Sequence, residues 1–222
     1  REGTLLASPF DPASAELGEP VPLVENVLVD TGAALGVFSA NDDGSLVYMV
    51  RAGGTDQFLE WLGRDDESLG RVGDPGNLAR PRIAPDGRQA IVEVGGEDPA
   101  EGDLWLVDLE TGLRTRFTFE PGYEGPAQWT PDGTRVVYAA IRDSVTRIVV
   151  RPVEGTGNPS VLYEFEGEMA PTGFFPDGST VVLVQRDSET DYDVSSLPME
   201  GGAPTLLVQT PRVDYSASIS PD

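Results

Sequence analysis

The chain contains no cysteine, no histidine and no lysine, and all fifteen of its basic residues are arginine. Without cysteine there is no disulfide framework, no thiolate metal site and no thiol nucleophile. Without histidine there is no Ser-His-Asp or Cys-His triad, and both the usual general base and the commonest zinc ligand are missing. Without lysine there is no phosphate-loop lysine, no kinase strand lysine and no Schiff base. Carboxylate-only chemistry is all that remains. The segment is therefore read as non-enzymatic, with no catalytic residue, no metal ligand and no cofactor assigned.

Positive charge is scarce as well. Asp and Glu number 38 against those 15 arginines, giving a net charge of −23 and a sequence pI of about 4.1. Such a surface repels phosphate backbones and anionic membranes, which argues against a nucleic-acid partner. The charge reads as solubility or adaptation to the surrounding milieu, with attraction of a basic partner or of cations as the alternative. No apolar run approaches the length of a membrane span and no signal peptide is visible, so no direct membrane insertion by this segment is expected. The chain starts at Arg1 and stops inside a repeated motif at Pro221-Asp222, so both ends read as cuts in a longer protein. Nothing in the composition sets an oligomeric state.

What is present is a repeat. Asp42-Asp43-Gly44, Pro85-Asp86-Gly87, Pro131-Asp132-Gly133, Pro176-Asp177-Gly178 and Pro221-Asp222 put an aspartate at 43, 86, 132, 177 and 222, at spacings of 43, 46, 45 and 45 residues. A period in the forties with strand-like flanks predicts a β-propeller whose repeat is one four-stranded blade. In each copy Pro presets φ for a tight turn, Asp can accept from the backbone ahead of it, and Gly tolerates positive φ. Around Pro85-Asp86-Gly87 the four predicted strands are Ala79 to Ala84, Ala90 to Val94, Asp103 to Leu109 and Leu113 to Thr118. The same grammar recurs in both directions along the chain.

The fold class is therefore all-β, a propeller of four-stranded antiparallel blades. The expected division is a single propeller domain or fragment over 1–222. Within it, 1–30 supplies the outer strands of a partial blade, 31–77, 78–122, 123–167 and 168–212 are complete blades, and 213–222 begins the next. A parent with six or more blades is expected, because the terminal pieces lack a second strand between them.

Trp129-Thr-Pro-Asp-Gly133 with Tyr138, and Asp103-Leu-Trp105 with Thr111-Gly112 and Arg116-Phe-Thr118, resemble the Pro-Asp-Gly (WD40-like, PD40) repeat of the periplasmic TolB family. Neither a Trp-Asp nor a Gly-His pair occurs, so the WD-repeat class itself is not matched. Leu5 to Pro12, Gly18 to Val24, Leu109 to Thr118 and Val208 to Pro211 are also similar to the C-terminal propellers of bacterial membrane-anchored serine/threonine kinases. These resemblances imply an extracytoplasmic interaction or sensor module, in the periplasm or on the outer face of the membrane, with the cytoplasm as the alternative. Related propellers precede serine peptidase domains, which leaves a substrate-gating propeller as the second reading.

The recurring aspartates are assigned to turns, and Trp105, Trp129, Tyr138 and Phe175 to packing between blades. Asp187-Ser-Glu-Thr-Asp-Tyr-Asp193 carries carboxylates at alternate positions but lacks the glycine and terminal glutamate of a calcium loop, so it reads as a solvated hairpin, with calcium as the alternative. Propellers bind at the rim built by loops entering the innermost strands. Those loops are 74–81, 121–126, 167–171 and 211–215, and they nominate Arg80, Tyr123, Glu124, Glu168, Met169, Arg212 and Tyr215 as contacts for a protein or peptide partner.

Overall fold

The computed structural model describes residues 4–11, 13–14, 16–24, 27, 29–30, 35–36, 38–40, 46–49, 57–63, 67–96, 100–154, 157–187 and 191–210. Arg212, Tyr215, the Asp42-Asp43-Gly44 turn and Pro221-Asp222 lie outside the described residues. Among the described residues every regular element is a strand, and no helix is long and apolar enough to cross a membrane.

The strands fall into successive antiparallel sheets in chain order. β1 (Leu5–Ala7) pairs with β4 (Val21–Val24), with a small hairpin of β2 (Phe10–Asp11) and β3 (Glu16–Leu17) between them. β5 (Val29–Asp30) pairs with β6 (Leu35–Gly36). The first four-stranded sheet is β7 (Phe38–Ala40), β8 (Leu46–Met49), β9 (Gln57–Leu62) and β10 (Ser68–Gly76). The second sheet is β11 (Leu78–Ile83), β12 (Gln89–Gly95), β13 (Gly102–Asp108) and β14 (Arg114–Arg116). The third is β15 (Tyr123–Trp129), β16 (Arg135–Arg142), β17 (Val145–Pro152) and β18 (Ser160–Glu166). The fourth is β19 (Met169–Phe174), β20 (Thr180–Asp187), β21 (Asp191–Pro198) and β22 (Thr205–Val208). One parallel bridge, Gly102 to Tyr123, joins the second sheet to the third.

The hydrophobic pattern explains why these sheets stack face to face. The second strand of each of the last three sheets is apolar on both faces: Ala90-Ile91-Val92, Val136 to Ala139 and Val181 to Val184 are all buried. Alternate residues of one strand then serve two different cores. Val136 and Tyr138 pack toward Ala84, Ile91, Leu104 and Phe117 of the preceding sheet. Val137 and Ala139 pack toward Met169, Val181, Leu183 and Leu197 of the following one. A further core joins Leu59 and Val72 to Leu78, Val92 and Val107. Val24 and Val27 close over Tyr48, placing the β1–β4 pair against the first complete sheet. Burial on both faces is what turns an alternating strand pattern into a continuous apolar run. The outer strands lie open to water: β14 is Arg-Thr-Arg, while β22 exposes Leu206, Leu207 and Val208.

Cross-sheet hydrogen bonds tie the stack. Trp129 Nε1 donates to the Arg82 carbonyl at 2.9 Å, and Trp61 Nε1 to the Leu109 carbonyl at 3.4 Å. The tryptophans thus satisfy their polar edge while burying their rings. β14 is shorter than the expected Leu113 to Thr118 strand. The amides of Phe117 and Thr118 both turn to the Leu104 carbonyl, which ends the ladder and buries the Phe117 ring.

Candidate functional site

The repeated aspartates are turn-makers. Asp86 Oδ1 accepts from the Arg88 amide at 3.0 Å and Asp177 Oδ1 from the Ser179 amide at 2.9 Å. Asp132 Oδ1 accepts from the Thr134 amide at 3.0 Å and from the hydroxyls of Thr134 and Thr130 at 2.9 and 2.6 Å. Gly87, Gly133 and Gly178 hold φ of 70°, 68° and 69°. Gly133 lies against Pro85 and Gly178 against Pro131, so the turns also stack from blade to blade. The Thr130 hydroxyl and the Thr134 amide hold the Asp132 carboxyl below its ordinary range. A depressed acid stabilises the fold above its unfolded pKa, near 3.9, and that contribution is lost as pH falls through the lower folded value. Asp132→Ala should therefore cost about 1 kcal/mol at pH 7, the worth of its hydrogen bonds at an exposed site. In thermal unfolding the gap from the parent chain should narrow once the pH drops below about 4. A gap that persists unchanged at acid pH would refute the charge-assisted turn.

Of the rim residues nominated from the sequence, the described ones lie at or just before the starts of the inner strands. Tyr123, Glu124 and Met169 are ladder residues of β15 and β19, Arg80 lies in the bulge of β11 between Ala79 and Arg82, and among the described ones Glu168 alone lies outside a strand. The ladder extends further back than expected because Tyr123 and Glu124 pair with Ile141 and Ala140, and Met169 with Gln185. Met169 is 3% exposed and part of the core, so it is no surface anchor.

Two polar clusters occupy this rim. In the first, Arg80 Nη1 donates to Glu93 Oε2 at 2.9 Å and lies 3.0 Å from the Tyr123 hydroxyl, which itself donates to Glu93 Oε2. Burial raises the Tyr123 phenol well above its ordinary pKa, with the Glu93 charge adding to it, so the ring stays protonated and donating. Burial lowers the neighbouring Arg82 guanidinium, and Glu93 opposes that shift. In the second cluster, Glu168 accepts from Arg186 Nη1 at 3.2 Å and from the Tyr192 hydroxyl at 2.5 Å. Arg, Tyr and a carboxylate thus recur on the same rim two sheets apart.

Glu124 is different. It is 2% exposed, its Oε2 has no hydrogen-bond partner among the described residues, and burial raises its pKa, with the Thr118 hydroxyl opposing and Asp103 and Glu120 adding. Burial of the Tyr138 phenol, with the Glu124 charge adding to it, pushes that phenol up to about 12. Glu93, Arg186 and Tyr192 escaped the sequence reading. Aligning the copies on the turn glycine would have flagged Glu93, since the sixth residue after Gly87, Gly133 and Gly178 is Glu93, Ala139 and Val184 respectively.

In the acidic segment 187–193, Asp187 of β20 pairs with Asp191 of β21. Asp193 is buried within β21 and accepts from Gln209 Nε2 at 3.0 Å, so the alternate carboxylates do not share one loop. Glu189 lies outside the described residues. Among the described residues no three His, Cys, Asp or Glu side chains are grouped to hold a metal.

No protein-family model matches the chain. Tricorn protease homolog 1 of Streptomyces coelicolor is 28% identical over 120 residues, covering 53% of this chain and 11% of that protein. The Tol-Pal system protein TolB of Wolinella succinogenes is 20% identical over 175 residues, covering 78% of this chain and 40% of the relative. The chain thus spans well under half of the length of the curated relatives it matches. The crystal structure of TolB from Acinetobacter baumannii superposes with a TM-score of 0.64 at 18% identity, over 86% of this chain and 45% of that one. Sheet order, two-sided cores, turn repeat and these likenesses together make the chain a β-propeller of four-stranded antiparallel blades, similar in fold to TolB.

Proposed function

We propose that this propeller is a non-catalytic module that binds a protein or peptide on the rim at the starts of β11, β15 and β19. The observation that carries this reading is the pair of Arg–Tyr–carboxylate clusters, Arg80–Tyr123–Glu93 and Arg186–Tyr192–Glu168, on one rim. Arg and Tyr are the side chains most enriched where binding energy concentrates. The lack of His, Cys and Lys supports a role without catalysis. The TolB likeness supports placement outside the cytoplasm, and the kinase resemblance makes the sensor part of a membrane-anchored kinase one concrete setting. The tricorn protease likeness favours a second reading, a substrate-gating propeller whose catalytic domain lies elsewhere in a longer protein. A Gly-x-Ser-x-Gly elbow in the complete open reading frame would favour that alternative.

The test is panning of a phage-displayed random dodecapeptide library on the immobilised chain. An enriched consensus should lose at least tenfold in affinity with Tyr123→Ala or Tyr192→Ala and keep it with Leu207→Ala on the outer strand β22. Failure to enrich any sequence, or loss confined to the outer-strand variant, would sink the rim as the binding surface.

A further inference from the structure

The Glu93 carboxylate stands where the fold does not ask for one. Its counterparts after the turn glycine, Ala139 and Val184, are buried apolar residues, and Glu93 and Val184 pair with equivalent alanines of their inner strands, Ala79 and Ala170. Glu93 is itself only 4% exposed. A carboxylate in such a place is unfavourable unless it is fully compensated. Here the compensation is one-sided. Arg80 and Tyr123 both engage Oε2, while the buried Oε1 has no hydrogen-bond partner among the described residues.

The surroundings are shaped around this carboxylate. On one side the wall is bare backbone: Gly125 has φ of +150°, and a Cβ there would stand 2.7 Å from the Glu93 carboxyl carbon. On the other side Arg80 adopts φ of 42°, a region unfavourable for a side chain of this size. Its counterparts in the next two inner strands are Pro126 and Pro171, so the strain belongs to this blade and not to the repeat. The Arg80 side chain is 37% exposed against 5% for Glu93, which makes the guanidinium the solvent-facing cover of a buried anion.

We infer that Glu93 is the receptor for a guanidinium or ammonium group of a peptide partner, and that Arg80 fills it in the free protein as an internal stand-in. The inference rests on the rim-binding reading and names the partner's chemistry: a basic side chain. An incoming cation takes over Oε2, reaches Oε1, and lets Arg80 swing into solvent with its backbone relaxed. A net charge of −23 attracts such a partner at long range.

The probes are acetyl-Gly-Arg-Gly-amide and its citrulline analogue, which differs only by the lost charge, titrated into the full 222-residue chain by calorimetry. The arginine probe should bind more tightly than the citrulline one. Arg80→Gln should tighten the arginine probe about tenfold and leave the citrulline probe unchanged, and adding Glu93→Gln should abolish the gain. Should Arg80→Gln fail to fold, Tyr123→Phe removes one competitor from Oε2 and should tighten the arginine probe several-fold. Equal binding of the two probes, or no gain in either variant, would overturn the proposal and leave Glu93 as a structural ion pair with an ordered water on Oε1. A consensus panned onto this rim without a basic residue, alongside indifferent probes, would overturn the cation receptor alone. Arginine-selective binding with no panned consensus would uphold the cation receptor and remove the wider rim reading.

Discussion

Gly112→Ala is expected to destabilise the chain by about 3 kcal/mol, because it strikes a backbone-to-backbone contact between two sheets. Gly112 closes the turn after β13 with φ of 73°, its amide bonded to the Asp108 carbonyl at 2.8 Å. A Cβ there would lie 2.5 Å from the Gly73 nitrogen and 2.6 Å from its Cα, in β10 of the preceding sheet. Gly73, with φ of 69°, meets the Gly112 carbonyl oxygen at 2.6 Å in the same construction. Neither neighbour is a side chain that can rotate away. The left-handed conformation alone costs an alanine about 1–2 kcal/mol. The remainder comes from prising the two sheets apart over the shared core of Leu59, Val72, Leu78 and Val107.

In thermal unfolding this loss should lower Tm by roughly 6–12 °C at this chain length. Two glycines serve as controls. Gly133 has φ of 68°, close to that of Gly112, and a Cβ there would meet Pro85 only at 3.5 Å, so Gly133→Ala isolates the backbone term; Gly173 is open with ordinary φ, so Gly173→Ala should be close to neutral. The Gly73→Ala/Gly112→Ala double variant should cost clearly less than the sum of the singles, since either methyl already breaks the one contact. If Gly112→Ala proves no worse than Gly133→Ala, the close approach of the two backbones is wrong.

The contrast between turns and rim explains how far the sequence can be read. Proline, aspartate and glycine act within a few residues of one another, so the Pro85, Pro131 and Pro176 turns announce themselves by type and spacing. The strand after each turn announces itself as well, because burial on both faces writes a continuous apolar run. Gly73 and Gly112 are two ordinary loop glycines in the sequence, and only the stacking of sheets brings them together. The rim obeys the same rule. Arg80 and Tyr123 were recognisable as residues at the right end of an inner strand, but their shared partner Glu93 sits on the neighbouring strand. Met169 was misjudged because a methionine at a strand start looks alike whether it faces a partner or the next sheet. The sister position Leu78, also buried, was the available clue.

That same comparison of sister positions leads to the second large effect. Glu124 occupies the site held by Leu78 in β11 and by Met169 in β19, all three buried. Glu124→Met should stabilise the chain by about 2 kcal/mol at pH 7, since a buried carboxylate short of partners gives way to an apolar side chain of similar length. The Thr118 hydroxyl keeps its bond from the Leu104 amide at 2.9 Å but loses Glu124 as the acceptor of its own proton, which trims the gain. The dependence on pH follows from the direction of the Glu124 shift. Burial sets its folded pKa above the ordinary 4.5, so the charged form burdens the fold only above that raised value. As pH falls through the folded pKa toward the unfolded one, Glu124 takes up its proton in the native state first, and the parent chain recovers stability relative to Glu124→Met. Urea unfolding between pH 7.5 and 4 should therefore show a large gap that shrinks on acidification, with Glu124→Gln lying between the two chains at pH 7. A gap independent of pH would mean that the gain is packing alone and that Glu124 is not held charged at neutral pH. A destabilised Met variant would mean that Oε2 has a partner after all. A natural chain that keeps a carboxylate at a position its own repeats fill with leucine and methionine is trading stability for something else. Glu124 directly follows Tyr123 on the proposed binding rim, so the Met variant should also weaken the rim consensus while unfolding at higher temperature.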